Sequence, residues 1–174
     1  MINRLLPFCY DRKRWSTEGT LVISLVGLSL LPFQLSAQAF HNPEKLFDPT
    51  PYGFSHSAVL PMNGSYVMIA GQSGASNKQL EYSADFRIQV KNALLHLKYV
   101  LDAHDLVPEN IVKITVLIVD HSPEKLTIWS EEMKKLWNKG RYPTSTLIPV
   151  MRLASEGMLF EVDAIAFKPA KDSE

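Results

Sequence analysis

The chain has 174 residues, 46% of them hydrophobic and 21% charged, which is enough apolar material for a core and excludes a chain disordered by composition. Eighteen basic residues balance eighteen acidic ones, so no cationic excess exists to follow a phosphate backbone, and nucleic-acid binding is disfavoured. The single cysteine, Cys9, excludes an intrachain disulfide and a cysteine-based zinc site, and the histidines (His41, His56, His96, His104, His121) show no metal-ligand spacing.

The first forty residues read as an address. Arg4, Arg12, Lys13 and Arg14 lead into an apolar run, Leu21–Leu31, which Pro32 closes; Ala37-Gln38-Ala39 follows. A basic lead, a short apolar stretch and small residues at an A-x-A site form the pattern of a secretory signal peptide. The run is shorter than the ~20 apolar residues that span a bilayer, although an uncleaved anchor is the competing reading. The expectation is a signal peptide over 1–39, cleavage between Ala39 and Phe40, and a periplasmic or secreted domain over 40–174 with no membrane segment left. Cleavage leaves 14 basic and 16 acidic residues and no cysteine, which suits an oxidising compartment.

Residues 40–53 read as an irregular arm punctuated by Pro43, Pro49 and Pro51. Ser55–Leu60 and Ser65–Ala70 flank Pro61-Met62-Asn63-Gly64, and Asn-Gly between apolar runs predicts a hairpin, because both residues tolerate positive φ. Gly71–Asn77 is a Gly/Ser-rich loop. Apolar residues at three- and four-residue spacing from Phe86 to Leu101 predict a helix over 83–104 with Ser83 as N-cap. Ile111–Val119, rich in Ile and Val, reads as a buried central strand. Ser122-Pro123 opens a second helix whose stripe is Leu126, Trp129, Met133, Leu136 and Trp137, and Gly140 ends it. Ser145–Leu153 and Met158–Phe167 read as strands around a turn at Ser155-Glu156-Gly157. The fold class is α+β; the elements read here run β-β-α-β-α-β-β, and the expected sheet is mixed and six-stranded, one strand more than these five, with both helices on one face. The other face is left for solvent or for another subunit, and its apolar content argues for an oligomer.

From about Asn42 to Phe167 the chain resembles the reactive-intermediate deaminase (Rid, YjgF-like) family. The resemblance is carried by Phe54-Ser55-His56-Ser57-Ala58-Val59, Val67-Met68-Ile69-Ala70-Gly71-Gln72 and Gln89–Leu101. It continues through Pro108–Val116 leading to Asp120, then Tyr142-Pro143-Thr144-Ser145-Thr146 and Glu161-Val162-Asp163-Ala164-Ile165-Ala166. It implies a chorismate-mutase-like homotrimer with a central barrel, helices outside, and small-molecule clefts at the subunit boundaries. It also implies hydrolysis of 2-imino acids to 2-keto acids and ammonia without metal or organic cofactor.

The same resemblance supplies site residues. Glu161 matches the glutamate that places the attacking water, Gly71 the glycine whose backbone approaches the ligand, and Phe54 an aromatic that lines the cleft. Thr146 is a candidate hydroxyl donor. Family sites carry an arginine two residues after the proline matched by Pro143, because a guanidinium offers two parallel donors to a carboxylate. This chain has Ser145 there, and a hydroxyl cannot neutralise a carboxylate. Arg152, seven residues along the same strand, is expected on the opposite face; Arg141, in the preceding loop, is the candidate replacement. Each residue also has a plain structural role open to it: surface carboxylate, turn glycine, core aromatic, strand threonine, solvated arginine. Two functions stand side by side: a hydrolytic deaminase of imine- or enamine-type molecules with altered recognition, and a non-catalytic trimer that binds a small metabolite. A ribonuclease role is disfavoured by the net negative mature chain.

Overall fold

A computed structural model describes residues 39–137 and 141–170, all within the second of the two units into which the chain divides, Leu35–Glu174. Residues 1–38 of the predicted signal peptide, the predicted helix stop Gly140 and the end of the tail lie outside the described residues.

The strands are β1 (Ala39–His41), β2 (Ser57–Val59), β3 (Gly64–Ser73), β4 (Ile111–Val119), β5 (Thr144–Val150) and β6 (Phe160–Pro169); the helices are α1 (Phe86–Asp102) and α2 (Pro123–Leu136). β4 is the buried inner strand its Ile/Val content predicts: Ile111, Ile114, Val116 and Ile118 have no exposed surface. It runs parallel to β5 and antiparallel to β6, in a sheet ordered β3-β6-β4-β5.

This corrects the six-stranded sheet expected from the sequence. The mixed sheet has four strands, and β1 and β2 form a separate antiparallel ribbon. The Asn63-Gly64 hairpin does not form either. β3 pairs along its length with β6, whose ten residues offer a far longer ladder than three-residue β2. Gly64 instead allows a close approach, since a Cβ there would meet the Phe167 ring at 2.4 Å. Nor do the last two strands form a hairpin around Glu156, because β4 lies between them.

Both helices follow their stripes. α1 buries Phe86, Val90, Ala93, Leu94, Leu97 and Leu101 against the sheet. Its cap is Asp85 rather than Ser83: the Asp85 carboxylate accepts from the N–H groups of Arg87 and Ile88, while the Ser83 hydroxyl accepts from the Asp85 N–H. An anion takes two orphan donors and also complements the helix dipole. α2 starts at Pro123 with the Ser122 hydroxyl accepting from Lys125 N–H, as the Ser-Pro pair predicts. Buried Glu132 binds Arg87 of α1 at 2.6 Å and Lys135 at 2.8 Å, which ties the two helices together. Burial alone pushes that carboxyl up, but the hydrogen bonds from Lys135 and Arg87 outweigh it and hold the pKa below the usual range.

The helices cover one face only. On the other, Tyr66 (54% exposed), Met68 (71%) and Ile148 (41%) stand open.

Candidate functional site

Strand register sorts the candidate residues onto two faces. Paired residues point the same way, and successive residues alternate. Ser145 pairs with Ile114 and Leu147 with Val116, both buried beneath the helices, so Ser145 and Leu147 face the helix side. Glu161 pairs with Leu117 and Asp163 with Thr115, on the uncovered face.

On the helix side Ser145 and Leu147 form one wall of a cavity of about 470 Å³, with Leu126 and Trp129 of α2 as its floor. Phe47, Tyr52 and Phe54, from the arm before β2, complete the lining. The arm is held from both sides. Ser55 accepts no freedom at the β5 end: its N–H donates to the Pro143 carbonyl and its hydroxyl to the Tyr142 carbonyl. From α2, Ser130 donates to the Tyr52 carbonyl and Lys134 to the Pro51 carbonyl. Gly53 sits between these anchors at φ +76° with Met133 Sδ against it, a place without room for a side chain. Phe47 stands edge-on to Tyr52, Phe54 and His56, with centroids 6.1, 5.9 and 5.1 Å away. The cavity fits the general form of a small-molecule site, a mostly apolar concavity with few polar groups.

On the uncovered face, Gly71 lies where the β3–β6 register shifts between Ile69 and Gln72. The Glu161 side chain occupies the volume that a Cβ on Gly71 would need, with Oε1 at 1.7 Å from it. Burial raises the Glu161 pKa above the ordinary glutamate value, and the negative charge of Asp163 adds to the effect. A carboxylate so placed is suited to accept a proton from water.

The structure therefore brings Phe54 and Ser145 together, and Gly71 and Glu161 together, without joining the two pairs in one cluster. Thr146 falls on the Glu161 face, where its hydroxyl accepts from Lys113 Nζ at 2.8 Å. Arg141 is exposed and does not line the Ser145 cavity. Arg152 lies beyond the end of β5, beside the loop through Ser155. Sequence reasoning missed Phe47 and Tyr52, whose signal was three aromatics within eight residues of a proline-punctuated arm. It assigned Leu126 and Trp129 to the helix core alone, though they also floor the cavity. Among the described residues, no three His, Cys, Asp or Glu side chains converge as metal ligands, and no helix is long and apolar enough to cross a membrane.

Residues 49–168 match the family described as Endoribonuclease L-PSP. A RutC family protein of Buchnera aphidicola subsp. Schizaphis graminum is 29% identical over 122 residues, which cover 69% of this chain and 91% of that protein. Among solved structures, the Rid-family protein YyfB of Yersinia pestis superposes with a TM-score of 0.70 at 28% identity, covering 76% of this chain and 99% of the other. Escherichia coli TdcF, solved with bound serine, superposes at 0.52 with 26% identity, covering 64% and 91%. The fold and these matches define a Rid-type α+β domain. The chain belongs to the Endoribonuclease L-PSP family, which is the Rid, or YjgF-like, family of the sequence resemblance.

Proposed function

We propose that the chain is an exported, homotrimeric hydrolytic deaminase of a small imine- or enamine-type molecule, with recognition altered at the arginine position. The observation that carries this reading is Glu161, half-buried beside Asp163 and packed into the space left by Gly71. In this reading the apolar uncovered face packs against neighbouring subunits, and the boundary brings the Ser145 cavity of one protomer to Gly71 and Glu161 of the next. Phe54 then lines the ligand body, Ser145 bonds its polar head, and Glu161 takes a proton from water as that water adds to the C=N carbon. Glu161 passes that proton to the nitrogen, the second proton of the added water follows it, the C–N bond breaks to release ammonia, and the carbon becomes a carbonyl. Thr146, on the Glu161 face, is a secondary ligand contact, whereas Arg141, exposed outside the Ser145 cavity, is not one in this reading. No metal or organic cofactor takes part.

The test generates imines with an amino-acid or amine oxidase and traps them with semicarbazide. Wild-type protein is expected to compete with trapping for at least one imine, and Glu161→Gln to lose that competition. If wild type and Glu161→Gln are indistinguishable on every imine, the hydrolase reading fails. The second reading, a non-catalytic binding trimer, is favoured by one observation: among the described residues, no carboxylate, imidazole or cationic group lines the cavity around Ser145. Ligand binding without turnover would select it. Export is tested by sequencing the processed protein from a Gram-negative-type host. It is expected to begin at Phe40, and full-length chain confined to the cytosol would overturn that expectation.

A further inference from the structure

Among the described residues, the lining of the Ser145 cavity carries no carboxylate, ammonium or guanidinium; its side-chain polar groups are the hydroxyls of Ser145 and Tyr52 and the Trp129 indole N–H. The rest is aromatic or aliphatic. Burying a carboxylate there would strip its water and return no countercharge, a cost that a neutral carbonyl or imine head avoids. One or two hydroxyls are enough to satisfy such a head.

The walls favour an apolar body on that head. Phe47, Tyr52 and Phe54 already form an edge-to-face array, and a further ring can join it at the same 5–7 Å spacing. Trp129 is held from behind by Phe160, with centroids 5.3 Å apart, so the floor is fixed before a ligand arrives. The roof is tied through its backbone to α2, and His56 Nε2 bonds the Phe47 carbonyl at 2.9 Å. Yet the Phe47 and Tyr52 side chains remain 60% and 48% exposed, apolar surface held in place beside a cavity.

We infer that the cavity selects small uncharged carbonyl or imine compounds that carry an aromatic or branched apolar substituent, with Phe47 and Tyr52 as the specificity-determining residues. This deepens the proposed function and rests on its placing of the ligand at Ser145.

Four ketones separate head from body: acetone, pyruvate, phenylacetone and phenylpyruvate. Within each size pair a methyl group replaces the carboxylate. Binding to the purified protein is measured by calorimetry and saturation-transfer NMR. Phenylacetone is expected to bind at least tenfold more tightly than phenylpyruvate and than acetone, and Phe47→Ala to weaken it at least tenfold while leaving the circular dichroism spectrum unchanged. Phenylpyruvate binding as well as phenylacetone would overturn the uncharged head. Phenylacetone binding no better than acetone, or no ketone binding at all, would overturn the apolar body. Phenylacetone binding without hydrolysis of any imine leaves the ligand class standing and removes only the hydrolase reading.

Discussion

A methyl group on Gly71 would stand 1.7 Å from Oε1 of Glu161 and 2.6 Å from its Cδ. The absence of a side chain at Gly71 therefore sets where the Glu161 carboxylate rests. Gly71 does not have a positive φ, so alanine brings no backbone strain, and its effect passes through Glu161. Gly71→Ala is expected to keep its melting temperature within a few degrees of wild type, on the scale of about 1 kcal/mol for such a surface change. It is expected to lose at least tenfold in imine hydrolysis. Adding Glu161→Asp shortens the displaced acid and should recover part of the loss. A Gly71→Ala variant with full activity would separate the glycine from the carboxylate's role.

The raised pKa of Glu161 makes a pH prediction with a defined sign. Burial is the main cause and Asp163 the second. An acid whose folded pKa exceeds its unfolded one favours folding most below the unfolded value, and loses that contribution as pH rises through the folded value. Glu161→Gln should therefore be close to neutral for stability in acid and mildly stabilising at neutral pH. Denaturant titrations at two pH values check this. For activity the carboxylate must be ionised, so the acidic limb of the rate profile should lie above the ordinary glutamate range. Asp163→Asn removes the repelling charge and should move that limb downward. An unmoved limb would mean that another group sets it.

The uncovered face carries the oligomer prediction. Tyr66, Met68 and Ile148 are exposed on it, around half-buried Leu117 and Ile165. Tyr66, Met68 and Ile165 sit toward one end of this face and Leu117 and Ile148 toward the other, with Asp163, Thr115 and Thr146 between, and apolar side chains left open on a face no helix covers suit contacts between copies. Light scattering is expected to give about three times the protomer mass, the closed ring that buries this face on every copy. Met68→Lys should shift the mass toward the protomer. A wild-type monomer would remove both the trimer and the subunit-boundary site.

Elements were legible where local chemistry and tertiary demand agree. Ser122-Pro123 caps and starts α2 as its sequence dictates, and the Ile/Val-rich β4, though interrupted by Lys113, Thr115 and Leu117, lies between two strands with Ile114, Val116 and Ile118 buried. Pairing was less legible. Asn63-Gly64 carries a hairpin signal, yet β3 found a ten-residue partner about ninety to a hundred positions away, and no local turn preference reports that competition. The site was legible residue by residue but not as geometry. That Ser145 and Glu161 lie on opposite faces follows from the registers Ser145–Ile114 and Glu161–Leu117, which exist only once β4 is placed between β5 and β6. Phe47 and Tyr52 were hidden for a related reason: an irregular arm has no period to reveal which side chains turn inward.

Ser145→Arg is the decisive substitution. Among the described residues, Ser145 lines a cavity without a cationic group, so a carboxylate-bearing imine meets a hydroxyl where family enzymes are expected to offer a guanidinium. A missing charge-assisted hydrogen bond costs on the order of 1.5–3 kcal/mol, and about 1.4 kcal/mol is tenfold in rate. Wild-type protein should therefore fall about tenfold to 150-fold short of an arginine-bearing relative on 2-iminopropionate or 2-iminobutyrate, with misplacement of the substrate adding to the deficit. Because such imines also hydrolyse unaided, that shortfall should bring the catalysed rate close to background in a semicarbazide competition assay. Ser145→Arg is expected to gain activity on both imino acids and to lose affinity for phenylacetone, since the new side chain fills part of the cavity and carries charge into it. A gain confined to Ser145→Arg would mean that Glu161 and Gly71 form a working hydrolytic frame whose natural substrate is not an imino acid. If wild type already matches the relative, the argument from Ser145 fails, and Arg141, exposed in the loop before Pro143, becomes the carboxylate's partner to test by Arg141→Ala.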